Sequence, residues 1–140
     1  MKKVYWIILL FVCLFWFFVY INLPDVVETY AIEASANLTM KKVGIDVDDS
    51  RFSFGSLPLG GSSKRYANIS NLYQFPIRVE IYTKGNISPF LFASSNEFDM
   101  MPNETKRINL TFIPPSDGIN ETKLPIFYEG EVIFKYIKKN

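Results

Sequence analysis

The chain has no histidine in 140 residues and a single cysteine, Cys13. Without imidazole, Ser-His-Asp and Cys-His nucleophilic arrangements are impossible, and so are His-ligated metal sites. Nucleophilic chemistry would rest on a lone Ser, Thr or Lys with no visible activator, so no enzyme, catalytic residue or cofactor is expected. One thiol makes no disulfide, and any exported domain must be held together by its core alone. Charge is equally balanced: 15 Lys and Arg face 14 Asp and Glu, a net +1 with no block of one sign. Nothing in that distribution points to nucleic acid as a partner.

What the chain does have begins at its start. After Met1-Lys2-Lys3 come eighteen residues, Val4 to Ile21, without charge, amide, Gly or Pro. As a helix this run is about 27 Å long, close to the hydrocarbon thickness of a bilayer. Thirteen of the eighteen are Leu, Ile, Val or Phe, which together favour insertion by about 5 kcal/mol. Tyr5, Trp6 and Tyr20 lie near the ends, where amphipathic rings prefer the interface, and Pro24 follows as a stop. A cleaved signal peptide would carry a shorter apolar region and a nearby Ala-x-Ala-like site. Ala34-Ser35-Ala36 has that form but stands well beyond the run, so an uncleaved anchor is expected. Lys2 and Lys3 precede the run, while residues 22–40 hold Asp25, Glu28 and Glu33 and no Lys or Arg. The positive-inside rule then keeps the N-terminus in the cytoplasm and exports the rest.

Six of the ten asparagines open an Asn-x-Ser/Thr triplet: Asn37, Asn68, Asn86, Asn103, Asn109 and Asn120. With 17 Ser and Thr in the chain, chance would supply about one. All six lie beyond the apolar run, and none has Pro in the middle. Such triplets are N-glycosylation acceptors, used on the outer side of a membrane.

The exported part is one domain's worth of chain. It shows two-residue alternation in short runs bounded by Gly, Pro, Asn and Ser, the period of strands. Ala67 and Ile69 alternate against Tyr66, Asn68 and Ser70. Ile77, Val79 and Ile81 alternate against Arg78, Glu80 and Tyr82. Ile108, Leu110 and Phe112 oppose Arg107, Asn109 and Thr111, and Val132, Phe134 and Tyr136 oppose Glu131, Ile133, Lys135 and Ile137. Shorter candidates are Arg51–Phe54, Phe90–Ala93 and Phe98–Met100. About seven strands with frequent turns predict an all-β, antiparallel β-sandwich. Asn68 and Asn109 fall on predicted outward faces; Asn86, Asn103 and Asn120 fall in predicted turns. The expected division is a cytoplasmic tip (1–3), transmembrane helix (4–23), stalk or first strand (24–42) and sandwich (43–140). A stalk leading into a strand near Asn37–Val47 is favoured for the third segment.

The order Asp46-x-Asp48, Phe52-x-Phe54-Gly55, Gly60, Arg65, Asn71, Pro76-Ile-x-Val79, Gly85, Phe98-x-Met100-x-Pro102-x-Glu104 and Tyr128-x-Gly130-x-Val132-x-Phe134 resembles an immunoglobulin-like module. It is similar to the abnormal-spindle/hydin and major-sperm-protein type, especially as found in archaeal single-pass membrane proteins. The resemblance covers residues 43–138 and implies a seven-stranded sandwich with a binding or structural role; it supplies no catalytic residues. The stretch Asn120–Pro125 departs from the tighter turn such modules often have.

Other features have plainer readings. Asp46, Asp48 and Asp49 offer oxygen ligands but lack the Gly and Glu of an EF-hand loop, so a solvated turn is expected and no metal. Tyr66, Tyr73, Phe75 and Tyr82 are expected mostly in packing, with some rings exposed near one end of the sandwich. Lys135, Lys138 and Lys139 suit a solvated strand end. The expected partners are the lipid bilayer and an unidentified envelope protein or glycan. The alternative is an accessory subunit of a membrane secretion, surface-filament or glycan-assembly complex, docking through its transmembrane helix.

Overall fold

A computed structural model describes residues 2–23, 25–39, 50–115 and 124–139. Helix α1 runs Lys2–Asn22 and is followed by eight strands. They are β1 (Val26–Leu38), β2 (Phe52–Leu57), β3 (Ser63–Ser70), β4 (Ile77–Gly85), β5 (Leu91–Ala93), β6 (Glu97–Met100), β7 (Thr105–Phe112) and β8 (Ile126–Lys138). Two sheets form a sandwich, one ordered β2-β1-β8-β4-β6 and the other β3-β7-β5. Asn120 and the Asp46, Asp48, Asp49 group lie outside the described residues.

The alternation seen in the sequence becomes burial. Ala67 and Ile69 of β3, Ile77, Val79 and Ile81 of β4, Ile108, Leu110 and Phe112 of β7, and Val132, Phe134 and Tyr136 of β8 all enter one core. Rings tie the two sheets together: Phe54 lies 5.8 Å from Phe112, and Phe112 lies 5.3 Å from Tyr128. Each such buried ring or aliphatic side chain stabilises the domain by about 1.5–3 kcal/mol.

The first strand departs from expectation. Residues 26–38 are not the favoured stalk but the first strand, β1, which ends at Leu38; most of the strand expected near Asn37–Val47 lies outside the described residues. It runs antiparallel along β8 from Val26↔Ile137 to Leu38↔Ile126 and parallel beside β2 from Ala34↔Phe52 to Leu38↔Leu57. The sandwich therefore contains a parallel pair, and eight strands are described instead of about seven. The reason is physical: even-numbered residues from Tyr30 to Leu38 alternate inward, and two open sheet edges gain more from this strand than water does. Between Ser35 and Asn37 the register slips against β2, where Gly55 adopts φ 75° and forms a bulge.

Gly130 faces Gly85 across β4 and β8. A Cβ on Gly130 would collide with the Lys84 carbonyl oxygen and approach Ile87 Cγ2 at 2.7 Å. Only glycine lets these backbones come so close.

On α1 the described side chains are those of 5–21, nearly all exposed, and none joins the core. Among the described residues, no helix is long and apolar enough to cross a membrane.

Candidate functional site

The triplet asparagines divide by what their side chains already do. Asn68 on β3 and Asn109 on β7 are exposed, as the alternation required. The pairings Asn68↔Arg107 and Tyr66↔Asn109 place them diagonally on the outer face of the three-stranded sheet. Beside them Arg107 stacks on the Tyr66 ring at 3.9 Å, a contact worth about 0.5–1 kcal/mol at an exposed site. Asn103 is exposed in the turn before β7, with φ 61°, a conformation Asn tolerates better than most residues.

Asn86 and Asn37 differ. Asn86 stands in the turn after β4, exposed, yet its amide is engaged. Its Nδ2 donates to the Phe127 carbonyl (3.2 Å) and its Oδ1 accepts the Glu129 N–H (2.6 Å). Asn37 is half-buried on β1, and its Oδ1 is buried without a hydrogen-bond partner. The triplet pattern alone treats all these positions alike; only the structure separates exposed, unengaged amides from the engaged Asn86 and the half-buried Asn37. Asn86→Gln is thus expected to destabilise the domain by about 1–2 kcal/mol, because a longer side chain cannot keep both bonds. Asn68→Gln and Asn109→Gln are expected to stay within about 0.5 kcal/mol of the parent. Urea unfolding of the three unglycosylated variants checks the contrast, and equal effects would contradict it.

The aromatic residues expected near one end do not form one patch. Tyr66 and Tyr82 are about half exposed on opposite sheets, while Tyr73 and Phe75 are half-buried and stacked with centroids 5.2 Å apart. Tyr82 donates to Glu80 (2.5 Å), which raises its pKa. Tyr30 and Tyr136 share a hydrogen bond of 2.8 Å beneath β1 and β8, and burial raises both their pKa values. Neither hydroxyl is poised for proton transfer near neutrality.

At the other flank Asp99 on β6 is bridged by Lys139 and Arg78. The Lys139 hydrogen bond, then that from Arg78, holds its carboxyl below the ordinary aspartate range. That contribution is present above the unfolded aspartate pKa and is lost as pH falls through the folded one. Lys139 is therefore paired, not merely a solvated end.

Asn71 organises the end of the sandwich from which β1 starts. It is fully buried, and its Nδ2 reaches the carbonyls of Phe75 (3.0 Å), Met100 (3.3 Å) and Met101 (3.0 Å). Its Oδ1 accepts the Tyr73 N–H at 3.0 Å. Its own N–H donates to Glu104 O, and its carbonyl accepts the Asn103 N–H. The 71–76 loop and the 101–104 turn are thereby one body.

Two shallow clefts open on the five-stranded sheet, one lined by Glu33, Arg51, Lys84, Glu129 and Glu131, the other by Asn37, Ser56 and Phe127 among others. Among the described residues, no group of three or more acidic or thiol side chains is placed to hold a metal ion. Comparison with protein-family models, curated proteins and solved structures finds no match.

Proposed function

We propose that this protein is a membrane-anchored, N-glycosylated module of the cell envelope. Its immunoglobulin-like sandwich, of the abnormal-spindle/hydin and major-sperm-protein kind, lies outside the membrane and acts by non-catalytic binding or structural contact. The observation that carries this reading is the coincidence of one uninterrupted apolar run with six acceptor triplets, all on its far side. Val4 completes the eighteen-residue run on a helix of 21 residues, about 31 Å at 1.5 Å per residue. Its surface is apolar all round: Phe11, Phe15, Trp16 and Phe18 are each more than 60% exposed, a costly arrangement in water and a natural one in lipid. Exposure of Asn68, Asn103 and Asn109 suits enzymatic modification.

Protease added to sealed cells should remove the sandwich, and glycosidase treatment should lower the apparent mass of the full chain. A C-terminal tag protected in sealed cells and lost only after lysis would sink the topology.

The aromatic richness of α1 favours a second reading, an accessory subunit that docks through this helix into a secretion, surface-filament or glycan-assembly complex. Replacing α1 by a generic apolar helix separates the two. Retained function places the work in the sandwich, and lost function places it in the helix.

A further inference from the structure

Three chain segments converge where β1 begins. The Lys138 N–H donates to Asp25 O (2.9 Å), and the Lys139 N–H donates to Pro76 O (3.0 Å). Tyr73 OH donates to Glu28 (2.7 Å). On this same end the two loops locked together by Asn71 present bare apolar tips. Leu72 is 80% exposed, the highest value among the large apolar side chains described, and Met101 is 66% exposed. Their exposure does not come from a loose loop, because the backbone on either side is pinned by the buried Asn71 amide. Leu23 and Val26, in the connection itself, are also exposed. At this end Lys138 lies over the Phe75 ring and Lys139 bridges to Asp99, while Glu104 accepts the Met101 N–H at 2.7 Å.

Exposed apolar tips with lysines on the same end of the domain suit a protein resting in the headgroup layer. Chain continuity favours lipid over any other occupant. From Asn22 to Val26 the backbone can span at most about 15 Å, and from Val26 onward β1 is already paired with β8. That short reach keeps the start of β1 within about 15 Å of the point where α1 stops.

We propose that this end of the sandwich is a second membrane contact, with Leu72 and Met101 seated among lipid headgroups and Lys138 and Lys139 at their rim. This rests on the anchored reading of α1. It fixes the tilt of the sandwich and directs the opposite end, with Phe92 and the turn after β4, toward partners. Asn103 opens on the membrane-side rim, so a glycan there lies at headgroup level.

The full chain, with Cys13→Ala, is reconstituted in vesicles of zwitterionic and anionic phospholipid. Leu72→Cys, Met101→Cys or Phe92→Cys then carries an environment-sensitive dye. Brominated lipids should quench positions 72 and 101 by about twofold with blue-shifted emission, and leave position 92 unchanged. Trp6 and Trp16, the only tryptophans of the chain, report on α1 separately. Quenched tryptophans with unquenched dyes at 72 and 101 would overturn this contact and leave the anchor standing. Unquenched tryptophans would overturn both, and equal quenching at position 92 would mean a sandwich lying on its side, which also overturns the proposal.

Discussion

A chain beginning at residue 43 is expected to be unfolded, although the sequence divides most naturally there. The cut removes β1, whose partners are β8 along its whole length and β2 over its last third. Its loss opens two sheet edges and uncovers the core beside Val132, Phe134 and Tyr136. Ala34, Ala36 and Leu38 leave the interior with it. A buried Leu is worth about 1.5–3 kcal/mol, and each ladder hydrogen bond contributes about 0.5–1.5 kcal/mol net. Summed over a strand of 13 residues, the loss is on the order of 10 kcal/mol, comparable with the 5–15 kcal/mol that a whole domain possesses. A chain beginning at Asp25 should melt cooperatively with native near-ultraviolet dichroism; one beginning at residue 43 should show neither. Adding a peptide of residues 25–39 to the shorter chain should restore the signal. A cooperative transition in the shorter chain alone would show that β1 is dispensable.

Only three residues lie between the end of α1 and the start of β1, so helix and sandwich are joined by a short connection. A flexible stalk would let the domain roam; β1 instead carries any pull on α1 into the larger sheet, between β2 and the central strand β8. The register also explains why the inner face of β1 is small near its end. Ala34 and Ala36 pair with Gly130 and Tyr128, where the bulky Phe54, Phe112 and Tyr128 rings already occupy the core.

Most of the sandwich was legible because its strands are amphipathic. Ile77-Arg-Val-Glu-Ile and Ile108-Asn-Leu-Thr-Phe write the two faces with unambiguous side chains, and burial follows them residue by residue. β1 was obscured because its inward positions include two alanines, Ala34 and Ala36, which carry little apolar signal, because a register shift between Val26 and Glu28 breaks its alternation, and because it follows the apolar helix closely in sequence. Its parallel pairing with β2 depends on contacts between segments whose order in a sheet leaves no local trace. Ser53 breaks the alternation by being buried next to Phe54, at the bulge set by Gly55. As for candidate sites, the triplets gave positions but not side-chain duties, so the engaged amide of Asn86 and the half-buried Asn37 were invisible. In the sequence Asn71 is only one residue of the immunoglobulin-like pattern; that it joins two loops leaves no local trace.

Asn71→Ala is expected to destabilise the domain by about 2–4 kcal/mol, because the change strands the Tyr73 N–H and leaves the carbonyls of Phe75, Met100 and Met101 without their donor. Leu would fit the volume but satisfy none of these groups, so it should be no better. Asn71→Asp is the sharpest variant. It keeps the acceptor for Tyr73 but sets a carboxylate against three carbonyl oxygens in a fully buried site. Burial and those oxygens both disfavour the charged form and raise the folded-state pKa above the unfolded value. The folded protein then binds the extra proton, so the variant is most stable at low pH and loses stability as pH rises through that raised pKa. Denaturant titrations between pH 4 and pH 8 should show the gap between Asn71→Asp and the parent widening toward pH 8, while the gap for Asn71→Ala stays flat. A pH-independent gap for the aspartate variant would mean that the two loops can separate and let water reach position 71. In that case Leu72 and Met101 would no longer be held rigidly against whatever they face.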